Sequence, residues 1–391
     1  MIQLKRKEDC VGCNACLQIC PRKCISLCWD EQGFNYPRVD IKRCIECGLC
    51  ERVCPVLHQD IQTLPLKAYA AYNPKDSIRK ESSSGGIFYL IAEKVIRDGG
   101  VVFGAKFDSD WSVIHSHTDN IDGIRLFQKS KYVQSKIDSS YRFVKEFLTN
   151  GRTVLFSGTP CQIAGLRKFL KKDYGNQLIL VDTACHGVPS PMIWKSFLKE
   201  FTEREHCKVE DITNINFRDK RHGWETYGMS IRFKGKSSEK EWYSSVKDNL
   251  YMQGFLKNLY LRPSCYLCPT KCGKAHSDIT LADFWGIRNN YPDLYSEQGV
   301  SLVLSNTAKG EALLNILDIK KCEVDIENAL NGNPAIKKSS EKSKTYHTFW
   351  QFYTKSGLSS LPSLLHSMQP SVVRRSYRKI IKYITGILSN L

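Results

Sequence analysis

From Ala68 onward the apolar positions alternate between two periods. AYAAY (68–72) has the character of a strand, and SSSGGIFYLIAEKVIRDGG then places Ile87, Leu90, Ile91, Val95 and Ile96 at helical spacing behind Ser82, Ser83 and Ser84. VVFGAKF and SVIHSH read as strands, YRFVKEFLTN as a helix, TVLFSG as a strand and CQIAGLRKFLKK as a helix. LILVDTAC is a further strand and PMIWKSFLKEFTERE a further helix. This alternation predicts α/β layering around a buried sheet. TNINFRD, YGMSIRF and EKEWYSSV are more antiparallel in character, so the sheet is expected to be mixed. KGEALLNIL predicts a helix, followed by the polar loop KKSSEKSK. The final stretch, SVVRRSYRKIIKYITGILSNL, has apolar residues at helical spacing among Arg374, Arg375, Arg378, Lys379 and Lys382.

Three segments follow from this patterning. Residues 1–60 form a small front module, joined through 61–67 (IQTLPLK) to a body at 68–330. Residues 331–391 are read as a polar linker and a basic amphipathic helix. Such a helix suits a peripheral membrane surface or an acidic partner, or it packs on its own domain. No run reaches the ~18 apolar residues needed to span a bilayer.

Cysteine spacing gives the front module its chemistry. Cys10, Cys13, Cys16 and Cys20 fall as C-x2-C-x2-C-x3-C before Pro21, and Cys44, Cys47, Cys50 and Cys54 repeat the pattern before Pro55. This is the bacterial-type ferredoxin run. Three close thiolates wrap one cubane while the fourth reaches the other. The expected sets are Cys10, Cys13, Cys16 and Cys54 on one [4Fe–4S] cluster, and Cys44, Cys47, Cys50 and Cys20 on the second. Zinc takes two close ligand pairs instead of a triplet with a crossing fourth. Cys24 and Cys28, in a hairpin-like stretch between the runs, are read as core cysteines.

The 17 cysteines, an odd number with metal-type spacing, point to a reducing compartment. With no apolar signal region in MIQLKRKEDC, a cytoplasmic location is expected. The formal charge of +17 suggests a nucleic-acid binder until the cofactors are counted. Each oxidised cubane with four thiolates carries about −2, so two or three clusters and a dinucleotide remove roughly half of the excess. No nucleic-acid partner is expected.

Two strand-to-helix junctions carry further cysteines. TVLFSG runs into GTPC (158–161), and LILVDTA into CHGVPS (185–190). Ligands of open α/β sheets bind outside such strand ends, near free helix N–H groups. Two small residues buried in tight turns are the plain alternative. Cys265 and Cys268, a two-spaced pair, would complete four thiolates with Cys161 and Cys185, enough for a third cubane. Cys272 in place of one of the four is the rival ligand set, and zinc the rival metal.

Several stretches together resemble the coenzyme F-420-reducing hydrogenase/dehydrogenase beta-subunit family, an iron–sulfur flavoprotein group. They are SSSGGIFYLIAEKVI, GGVVFGAKFD, SKYVQS, SGTPCQIAGLRKFL, CHGVPSP, FRDKRHGW, RPSCYLC and SDITLADFWGI, spread over roughly 68–310. The resemblance implies a ferredoxin-like α+β module followed by a mixed-sheet α/β flavin-binding domain and a helical tail. It implies a flavin, FAD or FMN, with a cluster close to it. Electrons would pass between the ferredoxin-type clusters and a flavin that exchanges hydride with a substrate or carrier. Carried over, the implied flavin contacts are Ser83, Ser84, Gly85 and Gly86; Ser130, Lys131, Tyr132, Gln134 and Ser135; and Gly158, Thr159 and Pro160. The resemblance assigns Cys161, Cys185, Cys265 and Cys268 to the flavin-side cluster. The chain is also similar in form to bacterial proteins of surface-polysaccharide gene sets. Polar candidates for the flavin face or substrate pocket are His186, Arg218, Lys220 and His222. Partners would be a redox protein or a small-molecule acceptor or donor. An electron-transfer adaptor without its own substrate and a cluster-stabilised structural protein are the competing classes.

Overall fold

The computed structural model describes residues 1–368. In the front module β1 (Ile25–Trp29) pairs antiparallel with β2 (Asn35–Val39). The carboxylate of Asp30 shapes their turn by accepting from the N–H groups of Gln32 and Phe34, at 3.0 and 2.8 Å. A short helix follows the start of each cysteine triplet, Ala15–Ile19 and Leu49–Arg52. Gly48, in the left-handed region at φ 68°, admits the chain into the second of them.

The body is built on eleven strands. β3 (Lys67–Tyr72), β4 (Val101–Phe107), β5 (Val113–Thr118), β6 (Val154–Gly158) and β7 (Leu178–Thr183) come first. β8 (Ile212–Asp219), β9 (Gly228–Lys234) and β10 (Glu239–Ser245) follow, and β11 (Ile279–Asp283), β12 (Ser301–Ser305) and β13 (Lys320–Val324) complete the set. An eight-stranded mixed sheet runs β13-β3-β12-β11-β7-β6-β4-β5, and a three-stranded antiparallel sheet runs β10-β9-β8. The centre of the large sheet is parallel, from β4 through β6 and β7 to β11. Its outer strands are antiparallel.

The central strands are apolar on both faces because helices cover both. Val154, Leu155 and Phe156 are all wholly buried. The Ile87–Arg97 helix packs one face through Ile87, Ile91 and Val95. The other face meets the Ser140–Thr149 and Pro160–Leu170 helices through Tyr141, Val144, Ile163 and Leu166. Val11, Cys13, Ala15 and Val53 of the front module join that same core. Shared apolar packing thus joins the ferredoxin-like unit to the body.

β11, β12 and β13 go beyond the elements expected from periodicity. SLVLS is a five-residue run buried at every position, which period-2 reasoning does not distinguish from a helix fragment. The segment read as a linker also contributes to the core: Tyr346, Phe349 and Trp350 of the Tyr346–Ser356 helix pack with Trp194, Tyr251 and Tyr260. The aromatic residues of TFWQFY supply the apolar area that a solvated linker lacks. The basic stretch from Ser371 onward lies outside the described residues. Among the described residues, no helix is long and apolar enough to cross a membrane.

Candidate redox centres

The front cysteines gather in two crossed sets. Burial pushes the Cys13 thiol well above its ordinary value, and the neighbouring sulfurs of Cys16, Cys54 and Cys10 push it further. Cys54 is raised in the same way by burial, then by Cys10 and Cys50. Cys20, Cys44, Cys47 and Cys50 line one cavity together with Cys24, Ile25 and Val39. The last cysteine of each run therefore sits with the triplet of the other. A backbone N–H faces this second set, that of Ile2 donating to the Cys50 sulfur at 3.2 Å. Cys24 is buried, and its sulfur is 3.4 Å from that of Cys20. It belongs both to the core and to the rim of the second cavity. Cys47 is exposed and Cys13 is buried against the body, so the second set faces solvent and the first faces inward.

A further four thiols meet where β6, β7 and the Pro263–Leu267 turn converge. Pro160 occupies the first turn of the Pro160–Leu170 helix, and the Thr159 N–H donates to the Gln162 side chain at 2.9 Å. That capping box places Cys161 in the helix's first turn, where free N–H groups favour an anion. Cys185 follows the adjacent parallel strand β7. Cys265 is drawn in by the Val188 N–H, 3.4 Å from its sulfur, and by the Pro189–Leu261 bridge. The four act on one another. Cys161 is pushed up to about 12 by burial, then by Cys268 and Cys185. Cys185 rises to about 11 through burial, with Lys271 opposing and Cys268 adding to the rise. Cys265 feels burial and all three of the others.

Cys272 points elsewhere: its thiol donates to the Lys337 carbonyl at 2.7 Å. Among the described residues, no three His, Cys, Asp or Glu side chains converge as they would on a single metal ion. Four soft donors spread around a shared space fit a polynuclear cluster better than one zinc.

A basic crevice forms beside the Ile87–Arg97 helix start. The Ser130 N–H donates to the Ser83 hydroxyl at 2.8 Å, tying the SSSGG and SKYVQS segments together. Arg218 is 2% exposed; it donates to Asp283 at 3.0 Å and lies over the Tyr227 ring at 3.8 Å. Its Nε–H is buried without a partner. Asp283 also accepts from the Trp224 indole at 2.7 Å, and Trp224 stacks on Trp285 with centroids 5.0 Å apart. Lys220 donates to the carbonyls of Arg79 and Gln298 at 2.9 and 2.7 Å. Burial, then the charge of Arg218, brings Lys220 down to about 7. Burial brings Lys131 to about 7 as well. Lys131 donates to the Gln128 carbonyl at 2.8 Å, so both lysines are held by neutral oxygens. Cations so short of counter-charge are suited to receive an anionic group.

Similarity to known proteins falls on the same two parts of the chain. Residues 151–328 match the family described as the C terminus of the coenzyme F420 hydrogenase/dehydrogenase beta subunit, and residues 9–57 match the 4Fe–4S dicluster domain. The chain carries an F420 hydrogenase/dehydrogenase beta-subunit domain behind a 4Fe–4S dicluster domain. It is similar to the coenzyme F420-dependent sulfite reductase of Methanocaldococcus jannaschii, at 24% identity over 323 residues. The alignment covers 80% of the chain but 46% of that protein, so the chain spans about half of its length. The front is similar to the 7Fe ferredoxin of Hydrogenibacillus schlegelii, at 35% identity over 78 residues, covering 19% of the chain and 92% of that ferredoxin. A chain of the F420-reducing [NiFe] hydrogenase complex from Methanosarcina barkeri aligns at 14% identity and a TM-score of 0.46, over 70% of this chain and 91% of its own.

The residues expected to contact flavin in this beta-subunit domain fall into distinct places. Ser83, Ser84, Ser130 and Lys131 border the basic crevice, and Arg218 and Lys220 join them. Gly85 is wedged beneath it: a Cβ there would clash with the Ala71 carbonyl oxygen. Gly86, at φ 81°, starts the following helix. Tyr132 packs on Phe217 and Phe255. Ser135 accepts from Gln162 at 2.8 Å and meets His115 at 3.0 Å, connecting it to Thr159, Pro160 and Gly158 at the Cys161 junction. Gln134 turns to the front module, donating to the Val11 carbonyl. His186 lies beside Cys185, bonded to Asn258 at 2.6 Å, and His222 is on the exposed rim against Tyr243. Asp283, Trp224, Trp285 and Arg79 also shape the crevice, and sequence reasoning does not find them. RHGW and LADFWG carry the first three as an acid and two indoles in otherwise polar surroundings. Arg79 gives no signal beyond a basic residue in a short helix.

Proposed function

We propose that the chain is an iron–sulfur flavoprotein oxidoreductase, with two ferredoxin-type clusters in front, a third on Cys161, Cys185, Cys265 and Cys268, and a flavin in the basic crevice. The observation that carries this reading is the convergence of those four thiols between the front module and the crevice. A flavin bound there supplies conversion between single electrons and a hydride pair. Arg218, Lys220 and Lys131 would bind and orient its phosphates, and Ser83 and Ser130 would fix the turn that approaches them. The stacked indoles of Trp224 and Trp285 would exclude water from one side. The hydride donor or acceptor is proposed to be a small molecule, coenzyme F420 or another carrier, or a redox partner reached through the exposed Cys47 side.

Anaerobic purification of the Arg218→Ala/Lys220→Ala double variant tests the crevice. The reading expects bound flavin to be lost while iron is retained. Flavin bound at the wild-type level would remove the crevice from the account. In the wild type, reoxidation by a small-molecule acceptor marks a reductase; reoxidation by a protein alone marks an adaptor.

A further inference from the structure

We propose that Arg262 sets the reduction potential of the inner front cluster, by placing a hydrogen bond and a permanent positive charge on the sulfur of Cys10. The proposal rests on Cys10 being a ligand of that cluster. Arg262 is 1% exposed. Its Nε–H donates to the Cys10 carbonyl at 2.7 Å, and Nη2 donates to the Cys10 sulfur at 3.5 Å and to the Asn35 carbonyl at 2.8 Å. Nη1 donates to the Gln134 side chain at 3.1 Å, and the guanidinium lies 4.4 Å from the centre of the Tyr36 ring. Every acceptor except the sulfur is a neutral amide or carbonyl. A buried guanidinium requires an offsetting anion, and a cubane with four thiolates, at about −2, is that anion.

Two neighbours fit this role. Gly12, inside the first cysteine triplet, has φ +72°, and a Cβ there would lie 2.9 Å from Nη1. The triplet therefore makes room for the guanidinium. On its own loop, Arg262 donates its backbone N–H to the Val188 carbonyl at 3.0 Å, and its carbonyl accepts from the Cys265 N–H at 2.8 Å. The same residue thus touches a ligand of the front cluster and holds the loop of the inner four thiols.

The sign follows from charge. Reduction adds one electron to the cluster, and a donor and a cation at a ligand sulfur stabilise the more negative state, raising the potential. Arginine keeps its proton throughout the working pH range, so the effect moves no proton and is independent of pH.

The test is a potentiometric titration of the anaerobic full-length chain followed by electron paramagnetic resonance, with iron and sulfide counted first. Arg262→Gln is expected to lower one front-cluster midpoint, leaving the other in place. Arg262→Lys, which keeps the charge, is expected to recover part of the shift. Both midpoints unchanged in Arg262→Gln, with iron and sulfide intact, overturns the proposal. If that variant assembles no cluster, wild-type protein labelled with 15N in the arginine guanidinium decides: a 15N coupling to the reduced inner cluster is expected, and its absence overturns the proposal. Wild-type protein lacking front-cluster iron would instead overturn the ligand assignment beneath it.

Discussion

Cys13 of the front module rests directly on Gly165 of the Pro160–Leu170 helix: a Cβ on that glycine would lie 2.9 Å from the Cys13 sulfur. Cys161 stands one turn earlier on the same helix, so one helix face seats the front set and carries a member of the inner one. Tyr141, whose phenol donates to the Gln162 carbonyl at 2.8 Å, feels both. Burial first, then the sulfurs of Cys13 and Cys161, push its pKa up. This contact is the structural basis for the proposed electron passage between the two parts.

Gly165→Ala therefore has a predictable sign. A mid-helix glycine replaced by alanine normally gains about 0.5–1 kcal/mol from backbone entropy. Here the added methyl meets a cysteine that is itself held as a ligand, and overpacking costs about 1–3 kcal/mol. The melting temperature of the holoprotein is expected to fall. A rise would mean the two parts are not pressed together at this point.

Ligand identity at the inner site is tested by iron content. Cys265→Ser with Cys268→Ser should lower iron from about 12 to about 8 atoms per chain, leaving the front clusters in place. Cys272→Ser should leave the count unchanged, because that thiol is engaged with the Lys337 carbonyl. Equal loss from both variants would restore Cys272 as a ligand.

Much of this is legible in the sequence, and the reasons differ by feature. The front clusters follow from spacing alone, since C-x2-C-x2-C-x3-C dictates which thiols can share a loop. The helices and central strands follow from periodicity. The inner set needs the pairing of β6 with β7 and β7 with β11, the latter between residues about 100 positions apart, so spacing offers only Cys265 and Cys268 as a pair. Arg262 is invisible beside them: a basic residue before Pro263 gives no sign that it will be buried. Trp350 and its neighbours are masked by the polar run KKSSEKSK just upstream.

Flavin retention should depend on pH through Lys220 and Lys131. Burial depresses both to about 7, far below the ordinary lysine value. In the empty crevice they lose their protons as pH rises through 7, and an anionic phosphate pulls the protons back. Binding is therefore expected to be tightest below about pH 7, to weaken above it and to take up protons at about pH 8. The stability of the flavin-free protein has the complementary sign. Between the depressed and ordinary values the unfolded chain holds more protons, so stability rises with pH over that window. Calorimetry in buffers of different ionisation enthalpy measures the uptake; none at about pH 8 would separate these lysines from the phosphate site.

The most direct test of three clusters feeding one flavin is chemical analysis of the chain prepared and kept without oxygen. The account predicts about 12 iron and about 12 sulfide per chain together with one bound flavin. About 8 of each, and no flavin, would contradict it.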